Sequence, residues 1–289
     1  MKKRLLVAAV MAAMTISAVP AFAAPTFYGD ANIEYNELTG QSSDLTNRIR
    51  LSVDSAIADN MYVHGRVVMN NDLKDGSSSP AGDNEIRLEQ AFIGGKLGSF
   101  DVKAGRQPLW LGKGALADVN GINGIQAATT VNNIKLNGFY GKDGDNHVTA
   151  ADFGTSYRSV NFGGTYLQES DENKFMGINA DTKIMENAVL NVEYVKNTES
   201  KNDGFLAEVK VGNAVKKGDL DYSVAYRDIE DGAVSAYSTE GNYNNSEGFR
   251  LQANYKVDDN ATLTAYQDFT DSQDGAKKNQ TNVEFSVNF

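Results

Sequence analysis

Thr281-Asn282-Val283-Glu284-Phe285-Ser286-Val287-Asn288-Phe289 closes the chain, and from Asn282 onward it alternates polar and apolar residues without a break. Val283, Phe285, Val287 and Phe289 share one face; Asn282, Glu284, Ser286 and Asn288 share the other. Successive side chains of a strand point to opposite sides, so the stretch reads as a one-sided β-strand. The same pattern stands near the other end, where Phe27, Gly29, Ala31, Ile33 and Tyr35 oppose Tyr28, Asp30, Asn32, Glu34 and Asn36. Between these two lie further alternating segments near 45–56, 61–70, 85–96, 99–106, 123–131, 134–140, 148–157, 160–167, 175–184, 188–196, 204–212, 219–228, 248–257 and 261–269, sixteen strands in all.

The connections carry a second signal. They alternate between short ones (57–60, 97–98, 132–133, 158–159, 185–187, 213–218 and 258–260) and long ones (37–44, 71–84, 107–122, 141–147, 168–174, 197–203, 229–247 and 270–280). The short set averages about three residues and the long set about eleven. Short periplasmic turns and long external loops are the plan of outer-membrane barrels, whereas a soluble sandwich has no reason to sort its loops by end.

Ahead of the first strand, Met1-Lys2-Lys3-Arg4 is a basic cap, Leu5 to Val19 is apolar, and Ala21-Phe22-Ala23 is a small–x–small cleavage pattern. Residues 1–23 therefore read as a removable secretory signal, and 24–289 as one barrel domain. No other segment approaches the length of a spanning helix. Loss of three basic residues with the signal takes the formal net charge from −11 to −14, which argues against nucleic acid as a partner. Cysteine is absent, so there is no disulfide framework or thiolate metal site, and no cofactor is expected.

Three features turn the apolar face toward lipid. It carries small residues in mid-strand (Gly29, Gly65, Gly94, Gly138, Gly164, Ala151, Ala207, Ala253 and Ala265), each of which would leave a void in a packed core. Aromatics such as Tyr35, Tyr140, Tyr157, Tyr194 and Tyr255 sit toward strand ends, as interfacial girdles do. The opposite face carries mid-strand charge, at Arg48, Arg50, Arg66, Arg87, Glu89, Glu193, Glu208 and Arg250, which suits a wet lumen or an ordinary solvated surface. A bilayer offers no water to free N–H and C=O groups, so the strands have to close into a barrel. Sixteen strands leave an aqueous channel, and fourteen, if 123–140 is a single weak hairpin, still leave a pore.

Residues 87–107 contain Arg87, Ala91-Phe92-Ile93-Gly94, Gly98-Ser99-Phe100 and Gly105-Arg106. This stretch resembles the Gram-negative general porins, in which a strand of that type, a short turn and a following Gly-Arg strand precede the long third loop. Phe289, with Phe285 and Val287, resembles the terminal strand signal read by the barrel-assembly machinery. The resemblance implies a 16-stranded barrel, commonly a homotrimer among outer-membrane lipids and lipopolysaccharide, passing small hydrophilic solutes. It also implies a third loop, here 107–122, that folds inward with Trp110, Lys113 and Asp118. The family's acidic loop motif Pro-Glu-Phe-Gly-Gly is missing.

Arg48, Arg50, Arg66 and Arg87, followed by Arg106, are expected to form a cationic wall at the constriction, ordering water and sorting solutes by charge. Arg106 breaks the parity of Phe100, Val102 and Ala104, so facing inward requires a bulge near Gly105. The blander expectation is that these arginines pair with Glu89 and Asp54 and stiffen the wall. Asp118 is the candidate for the facing acid. The acidic loop residues, among them Asp72, Asp75, Asp83, Asp143, Asp145, Glu169, Asp171, Glu172, Glu230, Asp231, Glu240, Asp271 and Asp274, read as solvated, without the ligand spacing of a calcium loop. A barrel enzyme needs a histidine beside a nucleophile or acid; only His64 and His147 exist, and neither has a recognisable Ser or Asp partner in the sequence. An adhesin with a blocked lumen, or a channel selective for sugars or anions, are the other readings.

Overall fold

The computed structural model describes residues 24–74, 86–170, 173–238 and 244–289. The expected signal segment 1–23 and the loop acids Asp75, Asp83, Asp171, Glu172 and Glu240 lie outside the described residues. Sixteen strands follow one another: β1 (Thr26–Leu38), β2 (Asp44–Ala58), β3 (Met61–Asp72), β4 (Ile86–Leu97), β5 (Phe100–Leu111), β6 (Ala117–Val131), β7 (Ile134–Asp143) and β8 (Asn146–Tyr157), then β9 (Val160–Gln168), β10 (Lys174–Met185), β11 (Ala188–Asn197), β12 (Asp203–Gly212), β13 (Leu220–Ile229), β14 (Ser246–Asp258), β15 (Ala261–Asp271) and β16 (Gln280–Asn288). Each pairs antiparallel with its sequence neighbours, and β1 pairs with β16 to close the barrel. No helix occurs among the described residues. Every segment expected to be a strand is one, the 123–140 hairpin included.

Register confirms the division of faces. Asp30 stands opposite Arg50 and Asn32 opposite Arg48, while Phe27, Ala31 and Ile33 stand opposite Val53, Ile49 and Asn47 on the other side. The apolar side is exposed along the barrel, at Phe27, Ile33, Leu51, Ile93, Ile125, Ile178 and Phe249. Gly94 is the exception to the expected set of outward small residues. It lies opposite Tyr62 on the inward face, where a Cβ would come within 2.6 Å of the tyrosine ring. The cause is a bulge between Arg66 and Val67 that passes over Glu89. It shifts parity along β4, so that Glu89 and Gln90 both turn inward.

Six of the seven connections at one end are two residues long, with Gly98, Asn132 and Arg158 at positive φ, as tight primed hairpin turns require. At the other end strand pairing runs further than the alternation predicted. The connection expected at 141–147 is only 144–145, and that expected at 107–122 shrinks to 112–116. What reads as the third long loop is thus mostly the upper half of a β-hairpin.

That hairpin leaves the wall. Pairing between β4 and β5 stops at Ala91 and Arg106, and pairing between β6 and β7 stops at Asn123 and Lys142. Beyond these points, among the described residues, β5 and β6 pair only with each other, across a register shift between Gln107 and Leu109. Two close approaches permit the departure. At Gly105 (φ 132°) a Cβ would lie 2.3 Å from the Ala91 carbonyl, and at Gly121 one would lie 2.1 Å from the Glu89 carbonyl.

Candidate functional site: the barrel interior

The freed hairpin seats its tip on the inner faces of β10 and β11. The buried Glu193 carboxylate accepts the Lys113 backbone N–H at 3.1 Å and the Ala115 N–H at 3.2 Å. Lys113 Nζ forms an ion pair with Asp181, which also accepts from Asn161 at 2.7 Å. Leu116 fills a notch over Gly177, where a Cβ would lie 2.8 Å from its Cδ1. At Gly112 (φ 65°) a Cβ would fall 2.0 Å from Glu193 Oε1, so the tip approaches its anchor only because no side chain intervenes.

The same contact divides the interior into a dry side and a polar side. Leu109, Leu111, Ala115, Leu116 and Ala117 of the hairpin pack with Phe139, Val148, Ala150, Leu167, Phe175, Val195 and Ile229, inward residues of β7 to β11 and of β13. Ala233 and Val234, from the 230–245 connection, join them. A second clamp comes from that connection. Tyr237 O accepts the Asp118 N–H at 2.7 Å, Ser238 Oγ donates to Gly114 O at 3.3 Å, and the Tyr237 hydroxyl donates to Asp143 at 3.1 Å. Burial pushes the Glu169 carboxyl above the usual carboxylate range, against hydrogen bonds from Ser235 and the N–H groups of Ala236 and Tyr237. Burial, with Asp143 beside it, likewise raises the Tyr237 hydroxyl.

The sequence-predicted residues gather on the other, polar side. Arg50 Nε lies 2.9 Å and Nη2 3.0 Å from the Glu89 carboxylate, and Nη1 lies 4.0 Å from Asp30. Arg66 donates to Ser52 Oγ at 2.9 Å and approaches Glu89 at 3.8 Å. Arg48 meets Asp30 at 4.0 Å, and Arg87 lies 2.9 Å from the Asn70 side-chain amide. Arg48, Arg50 and Arg66 thus share a wall and meet acids at once, with Asp30 as a partner where Asp54 was expected, while Arg87 on the same wall meets an amide. Asp118 stands on the hairpin within electrostatic range of Arg50. Arg106 is separate from this cluster. It lies opposite Ala91 and Asn123 with its guanidinium against Gly121, and pairing runs unshifted through Gly105. Further along the wall, Arg250 makes a two-point contact with Asp268 (2.7 and 2.9 Å) and lies 3.7 Å over the Tyr266 ring. Asn282 donates to Glu34 at 2.6 Å and Asn32 to Glu284 at 2.9 Å.

One expectation is corrected. His64 does have an acidic partner: its Nδ1 lies 2.7 Å from Asp54, which also accepts the Tyr28 hydroxyl at 2.9 Å, and its ring stacks on Phe92. The pair faces each other across β2 and β3, ten positions apart, a proximity that only strand register creates. Its Nε2 meets no hydrogen-bond partner among the described residues.

The anchor and the dry cluster were not foreseen. Glu193 reads in the sequence as a polar-face charge, but its contact spans eighty positions. The cluster left a faint trace, since alternation lapses at Ala150-Ala151, Phe175-Met176 and Tyr194-Val195, where both faces are apolar.

No protein-family model matches the chain, and no curated protein does. Solved structures do match. A triple mutant of the Rhodopseudomonas blastica porin superposes with a TM-score of 0.66 at 10% identity, covering 92% of this chain and 100% of that one. A second, multiply substituted mutant of the same porin superposes at 0.67, with the same identity and coverage. A third structure, described as "Asymmetric conductivity of engineered proteins", superposes at 0.66 with 10% identity and again 92% and 100% coverage. With sixteen antiparallel strands closed on themselves, the chain has the transmembrane β-barrel fold of the porins.

Proposed function

We propose that the protein is an outer-membrane channel for passive diffusion of small hydrophilic solutes and ions, rather than an enzyme. The observation that carries this reading is the divided interior. A hairpin tied to β10 and β11 fills one side, and a polar wall of β14–β16 and β1–β4 remains opposite it. On this reading the hairpin narrows the pore, and solutes pass between Asp118 and the arginines of β2–β4, in a transverse field. Arg48, Arg50, Arg66, Arg87, Glu89 and Asp118 line the passage, and Lys113 holds the hairpin. Planar-bilayer recording tests the proposal. The protein should give discrete ohmic steps, and Arg48→Gln with Arg87→Gln should move the reversal potential in a salt gradient toward cation selectivity. An unchanged reversal potential removes the wall from selectivity, and a protein that inserts without conducting sinks the channel.

A homotrimer fits the outer surface. Tyr140, Tyr157, Tyr166, Tyr194, Tyr226 and Tyr255 mark girdles on β7–β14. The outward residues of β2, β3, β4 and β6 include no aromatic, only aliphatic, small and polar side chains, with Asn71 donating to Asn47 at 2.6 Å. With Phe100 of β5 as the one exposed aromatic between them, a surface this poor in interfacial aromatics is suited to a second copy rather than to lipid. Export through a signal at residues 1–23, assembly through Phe285, Val287 and Phe289, and contact with lipopolysaccharide complete the proposal.

A further inference from the structure

The β5–β6 hairpin has two faces, and only one is spoken for. Leu109, Leu111 and Ala117 enter the dry cluster. Trp110 and Asp118, paired with each other across the hairpin, take the opposite face, turned toward the arginine wall. Trp110 is 56% exposed although a dry cluster lies one residue away on either side. Its only polar atom is already used, since Nε1–H donates to Gly112 O at 3.1 Å. What remains is a bare indole surface, fixed in place by a hairpin held at its tip by Glu193 and Asp181. The neighbouring polar groups carry opposite charges. Asp118 supplies an acceptor; Arg48, two positions along β2 from the Arg50 that faces Asp118 and on the same side of that strand, retains donors: its side chain is 33% exposed and its nearest acid among the described residues is 4.0 Å away, whereas Arg50 is committed to Glu89.

We propose that Trp110, Asp118 and Arg48 form a subsite for neutral saccharides passing through the channel. The C–H face of a pyranose ring lies on the indole, one hydroxyl donates to Asp118, and another accepts from Arg48. Charge selects this class of solute. An anion meets Asp118 and a cation meets Arg48, while a neutral polyol satisfies both groups. A platform ordered before the solute arrives loses little entropy on binding, so a weak, fast-exchanging site is compatible with passage. The inference rests on the channel reading and names its solute class.

Maltose titrated onto single channels in a planar bilayer tests it. The wild-type chain should show brief, reversible current blocks whose frequency rises with maltose. Trp110→Ala should raise the half-blocking concentration about tenfold in channels that still open, with Trp110→Phe falling between. Asp118→Asn should weaken the block less, because an amide oxygen still accepts. Wild-type channels that conduct without maltose blocks overturn the subsite alone, as does an alanine variant blocked as readily as wild type. Stronger blocking by benzoate than by maltose overturns the assignment to neutral saccharides. No current at all overturns the channel reading, and the subsite with it.

Discussion

Glu193 shows how far one residue can be read. Period two places it on the polar face of β11, and its charge suits a lumen. Its partners are the N–H groups of Lys113 and Ala115, which no local pattern connects to it. Removing the carboxylate leaves two donors in a buried setting, each costing about 1–3 kcal/mol if unsatisfied. Glu193→Ala is therefore expected to release the hairpin tip, seen as larger and noisier single-channel conductance. Glu193→Gln, which keeps one acceptor, should lie between. Gly112→Ala approaches the same contact from the other side. A methyl group 2.0 Å from Glu193 Oε1, on a backbone at positive φ, has no room, so the variant should reproduce the open, noisy channel. Wild-type traces from both variants would show that the tip is not what limits the current.

At the scale of the element, the 107–122 stretch reads as a loop because Pro108, Gly112, Gly114 and Gly121 break the alternation. It is nevertheless a hairpin. Its bulge at Gln107–Leu109 rotates Leu109 and Leu111 into the dry side, and apolar partners from six wall strands stabilise what the local sequence disfavours. The 230–238 strap over the hairpin has its own pH dependence. Burial raises the Glu169 carboxyl in the folded protein, so the folded state holds that proton more tightly than the unfolded state. The associated stability is complete below the ordinary glutamate value of 4.5 and is lost as pH rises through the raised folded value. Limited proteolysis of detergent-solubilised protein should cut the strap more slowly at low pH than at neutral pH, relative to a reference substrate. Glu169→Gln removes the titration while keeping an acceptor, and should flatten the profile. A slope that survives the substitution would assign the effect to another group.

For the whole molecule, closure joins residues from opposite ends of the chain. Gly29 N–H donates to Phe289 O at 2.8 Å, and Phe289 N–H donates to Gly29 O at 3.0 Å. The Phe289 ring lies against Gly29, where a Cβ would come within 2.8 Å of it. Deleting Phe289 strips the last rung and its ring from the seam, leaving Gly29 groups open where lipid cannot satisfy them. The yield of compact, heat-modifiable barrel in electrophoresis should fall several-fold. An unchanged yield would show that the remaining rungs from Asp30–Asn288 to Leu38–Gln280 suffice.

The sequence by itself determined the number of strands, their order along the chain, the end that bears the tight turns and, Gly94 apart, which small residues face outward. Those properties are local: a strand between two different environments writes them with period two, and a tight turn writes them in two residues. Only the tertiary structure decided that one side of the interior is dry, that the third connection is a hairpin seated on β10 and β11, and that His64 meets Asp54. Such contacts join residues ten to eighty positions apart through a closed sheet, and a bulge of a single residue reverses the facing of everything beyond it. Alternation reports which side of a strand is apolar; it takes the closed cylinder to set what stands across from it.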